Sequence, residues 1–474
     1  MFKCRDYIFL GALYSLLFST DAFARHIEAN QITTLNTATT PTFTSVTFLE
    51  PFDTVPIVVS TPSDEGGDPA DLRIRNVTTT GFEITVAEPP GNDGPHIDMT
   101  VDYIAIEAGV TTLPNGTVIV AGFHSTTSTS IGGNDPDIFD TVAFGMTLST
   151  APSVVANIQT VNNEDNTIPG TFSQPFLSIA VRNANTTSVQ LSLERSETAA
   201  FGDVTTDETI GWIAFPNGSN GDLTDTSGNI VGWDARITPD NITGFDNGAC
   251  VTNTFSATPW PNARVVGTRE GRDGADGGWL RRCSISNTAI GFEIDEDISN
   301  DTERSHTDEN ASLLSFENSF HAILGGELIG SKDVEMVTSA EYSIPGNEVR
   351  YRLTAESIGN SAIDAGTVIF TDSLPAEVAL IVDDIDSAGS GPVRFIDGSP
   401  SSGLTYNFNG LTSTTDDVDF SDDGGSTFTY TPTPDSAGAD RAVTHIRISP
   451  SGPFLAFNSS GSPNFAVEFD AVIR

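Results

Sequence analysis

The chain has 474 residues, and its 64 Asp and Glu outnumber 21 Lys and Arg to give a formal net charge of -43. A surface this acidic repels nucleic acid and anionic lipid, which excludes phosphate-backbone binding as a function class. Hydrophobic residues make up 38%, and because they recur in patterned strands the chain reads as folded.

Residues 1–24 carry Lys3 and Arg5, then the apolar run Tyr7 to Phe18, then Ala22-Phe23-Ala24. A positive head, a short apolar middle and a small-x-small end predict a secretory signal peptide cut after Ala24. A bilayer span needs about 20 apolar residues, and no later segment is long and apolar enough, so an exported chain with no membrane span is expected. Beyond the leader, lysine occurs only at Lys332. Carboxylate-rich, lysine-poor surfaces suit a salty exterior or bound divalent cations. The plainer reading is a solvated face kept soluble by its charge.

From Pro51 a pattern begins that returns twice. Its first copy reads PFDTVPIVV (Pro51 to Val59), LRIRNVTTTGFEITV (Leu72 to Val86) and TVDYIAIE (Thr100 to Glu107). The second reads STAPSVV, LSIAVRNANTTSVQLSL and TIGWIAFP, and the third PNARVVGT, LRRCSISNTAIGFEI and ASLLSFEN. Pro56, Pro152 and Ala263 are equivalent, as are Phe82, Val189 and Phe292, and again Tyr103, Trp212 and Leu314. Fixed spacing in tandem copies reads as core, and the copies as three tandem domains over 25–113, 114–218 and 219–329. Within each, alternation such as Leu72, Ile74 and Asn76 on one face predicts half-buried strands, with Gly, Pro, Asn and Asp turns between them. The fold class is therefore all-β, in tandem antiparallel β-sandwiches.

Cys4 leaves with the leader, and Cys250 and Cys283 remain. Two thiols in one small exported domain predict a disulfide, and neither belongs to a CxxC pair, so a zinc or redox site is not expected.

The pattern resembles the H-type lectins, a family of six-stranded antiparallel sandwiches. The likeness rests on Phe48 to Val59, on Leu72 to Ile74 with Thr80-Gly81-Phe82, and on Tyr103 to Glu107; it is closest in the first copy, weaker through Gly211 to Phe215 in the second, and an outline in the third. It implies carbohydrate binding through an acidic residue after the first core strand, an arginine on the next strand and a Trp-His pair before the last. Asp64 or Glu65 takes the first place, Arg73 or Arg75 the second, and His96 is the histidine of Ala87 to His96, a loop that has no tryptophan. Glycans or other surface proteins are the expected partners, and self-association into a homo-oligomer is open.

The third copy carries the densest polar loop, Asp295 to Asn310. Asp295, Glu296, Asp297 and Asp301 are candidate ligands for calcium, which takes six to eight oxygens, although the spacing is not that of an EF-hand and charge runs are commonly just hydrated. Glu194 to Thr198 echoes Glu303 to Thr307, which suggests a recurring turn.

The texture changes after Gly325-Gly326. Ser331-Lys332, Pro345 to Tyr351, Ser357 to Asn360 and Thr371 to Pro375 resemble domain of unknown function 11, an immunoglobulin-like repeat of large bacterial surface proteins; the resemblance covers 330–474 and implies extension or display of other domains. The alternating end Phe465 to Arg474 should close this sandwich. Asp417, Asp419, Asp422 and Asp423 beside Gly424-Gly425 read as a tight solvated turn. No histidine sits in HExxH and no serine in GxSxG, so catalysis is not expected. The expectation is a secreted, non-catalytic surface protein that adheres or binds carbohydrate, or else a spacer of the cell surface.

Overall fold

The computed structural model describes residues 24–34, 42–90, 92, 96–130, 138–164, 175–195, 203–248, 250–256, 259–274, 277–298, 302–337 and 344–474. The leader predicted over 1–24 thus lies outside the described residues except for Ala24. Regular structure among the described residues is β-strand, apart from one 3-10 turn at Phe245–Asn247. The chain divides into two compact units, one spanning Arg25–Leu324 and one containing Gly325–Arg474.

The first unit holds three sandwiches with a single strand order. In the first sandwich, Arg25–Thr34, Met99–Ile106 and Ile57–Ser60 form one sheet, and Thr44–Thr47, Gly81–Ala87 and Asp71–Arg75 form the other. The second repeats this as Val118–Thr126, Glu208–Pro216 and Pro152–Ile158 facing Asp140–Ala143, Ser188–Glu194 and Ser178–Arg182. The third repeats it as Ile230–Ile237, Asn310–Phe316 and Arg264–Glu270 facing Val251–Thr254, Ala289–Asp295 and Trp279–Ile285. Each first strand pairs with a sixth and each second with a fifth, all antiparallel.

After each sandwich a short strand joins it to the next one. Gly109–Thr112 pairs with Val118–Thr126, and Ser219–Thr224 with Ile230–Ile237. Phe320–Leu324, after the third sandwich, returns to the first and pairs with Arg25–Thr34, Leu324 lying opposite Arg25. The three sandwiches therefore close a ring.

Closure explains why the sixth strands are apolar on both faces. Val101, Tyr103 and Ala105 fill the first sandwich, whereas Ile104 and Ile106 point into a separate core shared with Val155, Ile213, Phe215, Val266, Leu314 and Phe316. A strand buried on both sides reads as a continuous hydrophobic run, and such a run does not reveal its phase. This corrects two equivalences. Leu314 belongs to the shared core, and Leu313 is the partner of Tyr103 and Trp212 inside its own sandwich. Likewise Phe82, Val189 and Ile290 follow the matching turns closed at Gly81, Ser188 and Ala289, so Phe292 corresponds to Ile84 and Leu191. Alternation also ends earlier than expected after Arg75: Asn76 takes the left-handed conformation, at φ 50°, which turns it to solvent and lets Val77 pack on the core. Asn tolerates that conformation at little cost.

A disulfide joins Cys250 and Cys283. The register of Trp279–Ile285 shifts between Arg282 and Ser284, which places Cys283 in a bulge, and the bridge to Cys250 passes over Gly291 of the intervening strand Ala289–Asp295.

In the second unit, Leu328–Met336, Glu348–Ser357, Asn464–Ile473, Val378–Ile381 and Ala439–Asp440 form one sheet, and Phe370–Ser373, His445–Ile448 and Val418–Ser421 the other. Tyr351, Leu353, Phe370, Phe420, Phe465 and Phe469 pack between them. The last strand is central: Asn464–Ile473 takes Glu348–Ser357 on one side and Val378–Ile381 with Val393–Asp397 on the other. Its residues Phe465, Val467, Phe469 and Ala471 alternate into the core, as the sequence pattern requires.

Candidate functional site

The residues to which the lectin likeness points lie around the seams between sandwiches. The loop from Pro62 to Asp71 turns away from its own sandwich and lies along the third. Arg282 N donates to Pro62 O at 2.8 Å and Asp64 N to Arg282 O at 3.0 Å. Arg281 donates to Ser63 O and Asp68 O, Arg304 Nη1 to Gly67 O, and Trp279 Nε1 to Ala70 O. Side chains of one sandwich thus satisfy the carbonyls of a loop from another.

Within this clamp Asp64 and Glu65 stay half-buried, and Glu65 accepts from Ser63 Oγ. His96 is buried beneath the loop, its Nδ1 2.9 Å from Ile97 O. A Cβ added to Gly66 would come 2.8 Å from His96 Nε2, so only glycine lets the loop close over the ring. Burial, together with the charge of Arg281, holds His96 below the usual histidine range.

The two arginines go elsewhere. Arg73 is buried at the seam with the second sandwich, where it pairs with Glu164 and with Asp71 at 3.3 Å and lies over Phe176. Burial pushes Glu164 up to about 7 against the pull of Arg73. Arg75 pairs with Glu83 at 2.7 Å and covers Phe43. The five candidates are therefore distributed over separate surroundings: Asp64, Glu65 and His96 share the clamped loop, Arg73 closes a seam, and Arg75 braces a strand pair.

The acidic loop is also turned inward. Asp295 accepts from Arg281 at 2.6 Å on one oxygen and from Arg304 Nε at 2.7 Å on the other. Glu296 pairs with His306, whose Nε2 lies 3.1 Å from Glu309 Oε1. Burial alone would lower His306, but its hydrogen bonds to Glu296 and Glu309 outweigh that and hold it above the usual histidine value. Asp297 is buried as well, and Asp301 lies outside the described residues. The picture of a solvated charge run is corrected: guanidinium and imidazole groups occupy the carboxylates of Asp295 and Glu296. The expected echo between Glu194 and Glu303 is not a shared turn either. Glu194 ends its strand at the position of Asp295 and takes Arg269 at 3.2 Å and Arg272 at 2.9 Å across the seam to the third sandwich, whereas Glu303 lies in the loop beyond.

Asp102, Arg269, Arg281, Arg282 and Arg304 are residues that motif reading passed over. Arg282 meets Asp102 of the first sandwich at 3.0 Å, and Asp102 also accepts from Val265 N. The signal available was scarcity: in so acidic a chain, cations gathered over Arg264 to Arg304 mark a buried network. In the second unit Asp423 accepts from Thr427 N, Ser421 Oγ and Thr427 Oγ1, which holds it down at about 2 in a tight turn.

Neither a protein family nor a solved structure matches the chain. Among curated proteins it is similar to a halomucin of Haloquadratum walsbyi (strain DSM 16790 / HBSQ001), with 26% identity over 371 residues, covering 73% of this chain and 4% of that protein. The chain spans a small fraction of that relative's length.

Proposed function

We propose that the protein is an exported, non-catalytic surface protein that works by adhesion or carbohydrate binding through its ring of sandwiches. The observation that carries this reading is the three-fold recurrence of one six-stranded order, closed by Phe320–Leu324 on Arg25–Thr34; the six-stranded sandwich is the unit that the H-type lectin likeness implies. Three similar faces on one body let weak contacts act together through avidity. The likeness to a halomucin, and an acidic surface with lysine nearly eliminated, support a setting outside the cell in concentrated salt.

A second reading, a spacer that displays other domains, is favoured by the engagement of Arg73 with Glu164 and of Arg75 with Glu83, which leaves those groups committed to structure. Glycan-array binding of the mature chain, in calcium and again in chelator, separates the two. Reproducible binding to a related set of sugars supports the first. A folded protein that binds nothing in either condition overturns it and leaves the spacer.

A further inference from the structure

Lys332 is the lone lysine beyond the predicted leader, in a chain that otherwise uses arginine for its cations. Its Nζ lies 2.6 Å from Asp372 Oδ1 and 2.8 Å from Oδ2. Lys332 stands on Leu328–Met336, an edge strand of one sheet of the second unit, and Asp372 on Phe370–Ser373, an edge strand of the facing sheet. Asp372 is 1% exposed, and the ring of Tyr351, stacked on Phe469, lies 4.7 Å from the lysine nitrogen. Arginine makes the better buried ion pair with a carboxylate, because its planar fork engages both oxygens and is more weakly hydrated. A lysine retained only here points to chemistry that needs an amine.

We propose that Lys332 and Asp372 are the reacting partners of an internal isopeptide bond that ties the two sheets of this sandwich together. One proton passes from the Lys332 ammonium to the Asp372 carboxylate along their hydrogen bond, which leaves a neutral amine beside a carboxylic acid. Burial favours that transfer, for it holds Asp372 above the usual carboxylate range in spite of Lys332 and the nearby charge of His445. The amine nitrogen then attacks the side-chain carboxyl carbon of Asp372. A C–N bond forms, the C–OH bond breaks, and the hydroxyl leaves with a second amine proton as water. The product is an amide with neither charge, and the step requires no oxidant, metal or further reactant. Amine and carboxyl are held within the separation, about 3–3.5 Å, at which enforced proximity replaces an encounter in solution.

The test is mass spectrometry of the full mature protein under denaturing conditions, followed by proteolysis. The expected result is a mass one water (about 18 Da) below that of the disulfide-bonded sequence, together with one branched peptide containing both Lys332 and Asp372. Lys332→Arg, which preserves the ion pair but has no competent nucleophile, should fold with the same circular dichroism and lose both the deficit and the branched peptide. Asp372→Ala should lose them as well. A wild-type protein at its full sequence mass after prolonged incubation overturns the proposal, as does a deficit that survives in Lys332→Arg.

Discussion

Leu324 lies opposite Arg25 in an antiparallel ladder, so the last strand of the three-sandwich unit is hydrogen-bonded to its first. In the same ladder Ile27 faces Ala322, and both side chains are buried in the core that all three sandwiches share. Replacing Ala322 with Asp would place an uncompensated charge there. The expected cost is about 3 kcal/mol or more, seen as a lower urea midpoint for the unit when unfolding is followed by tryptophan fluorescence. A change confined to the third sandwich would show that the ring is not one cooperative body.

The seam between the third and first sandwiches depends on Arg282 and Asp102. Arg282→Met leaves Asp102 buried with only the more distant Arg264, 3.9 Å away, as a cation, and the expected loss is about 3 kcal/mol. The double variant with Asp102→Asn should recover a large part of that loss. Denaturation curves for the full cycle measure the coupling, and simple additivity would refute it.

Glu293 is buried with Oε1 unpartnered, and burial pushes its carboxyl up to about 7, with Arg281 pulling the other way and Asp64 and Asp295 adding to the rise. A carboxyl whose folded value lies above its unfolded one binds its proton more tightly when folded. Its contribution to stability is present in full below about 4.3 and is lost as pH rises through about 7. Glu293→Gln should therefore match the wild type near pH 4 and exceed it at pH 8 by about 1–2 kcal/mol, after allowance for solvent screening. Equal stability at both pH values would show that the group is not perturbed.

Reduction of Cys250–Cys283, which are separated by 33 residues, should destabilise the protein by about 3–4 kcal/mol on the chain-entropy account. The paired Cys250→Ala and Cys283→Ala variant, compared with the wild type by thermal unfolding, checks this. A shift of less than about 1 kcal/mol would mean that the bulge at Cys283 is held by its hydrogen bonds alone.

Much of this architecture is legible in the sequence, because the second, fourth and fifth strands put apolar residues on one face and polar ones on the other, and so alternate in character even where the polar face is itself buried at a seam. Leu72, Ile74, Phe82 and Ile84 declare their side by spacing. The sixth strands do not: Leu313 and Leu314 are adjacent, both are buried, and only the ring tells them apart. Closure itself is hidden for a related reason. The run FHAIL forms a strand, but its partner lies at the opposite end of the unit, and pairing over that distance leaves no local pattern. The candidate site was legible as residue types and not as partners. Arg73 and Asp295 are where a pocket would need them in sequence, yet Glu164, Arg281 and Arg304 reach them from other elements. An acidic run shows its charge and not which cations will fold against it.

Because Leu324 sits beside Arg25, the polypeptide enters and leaves the ring at one point on its rim. Tension applied between Arg25 and the segment that follows Leu324 would load that single ladder end first and unzip it rung by rung. The rest of the ring, with its shared core and its seams, would stay out of the line of force until the closing strand had peeled away.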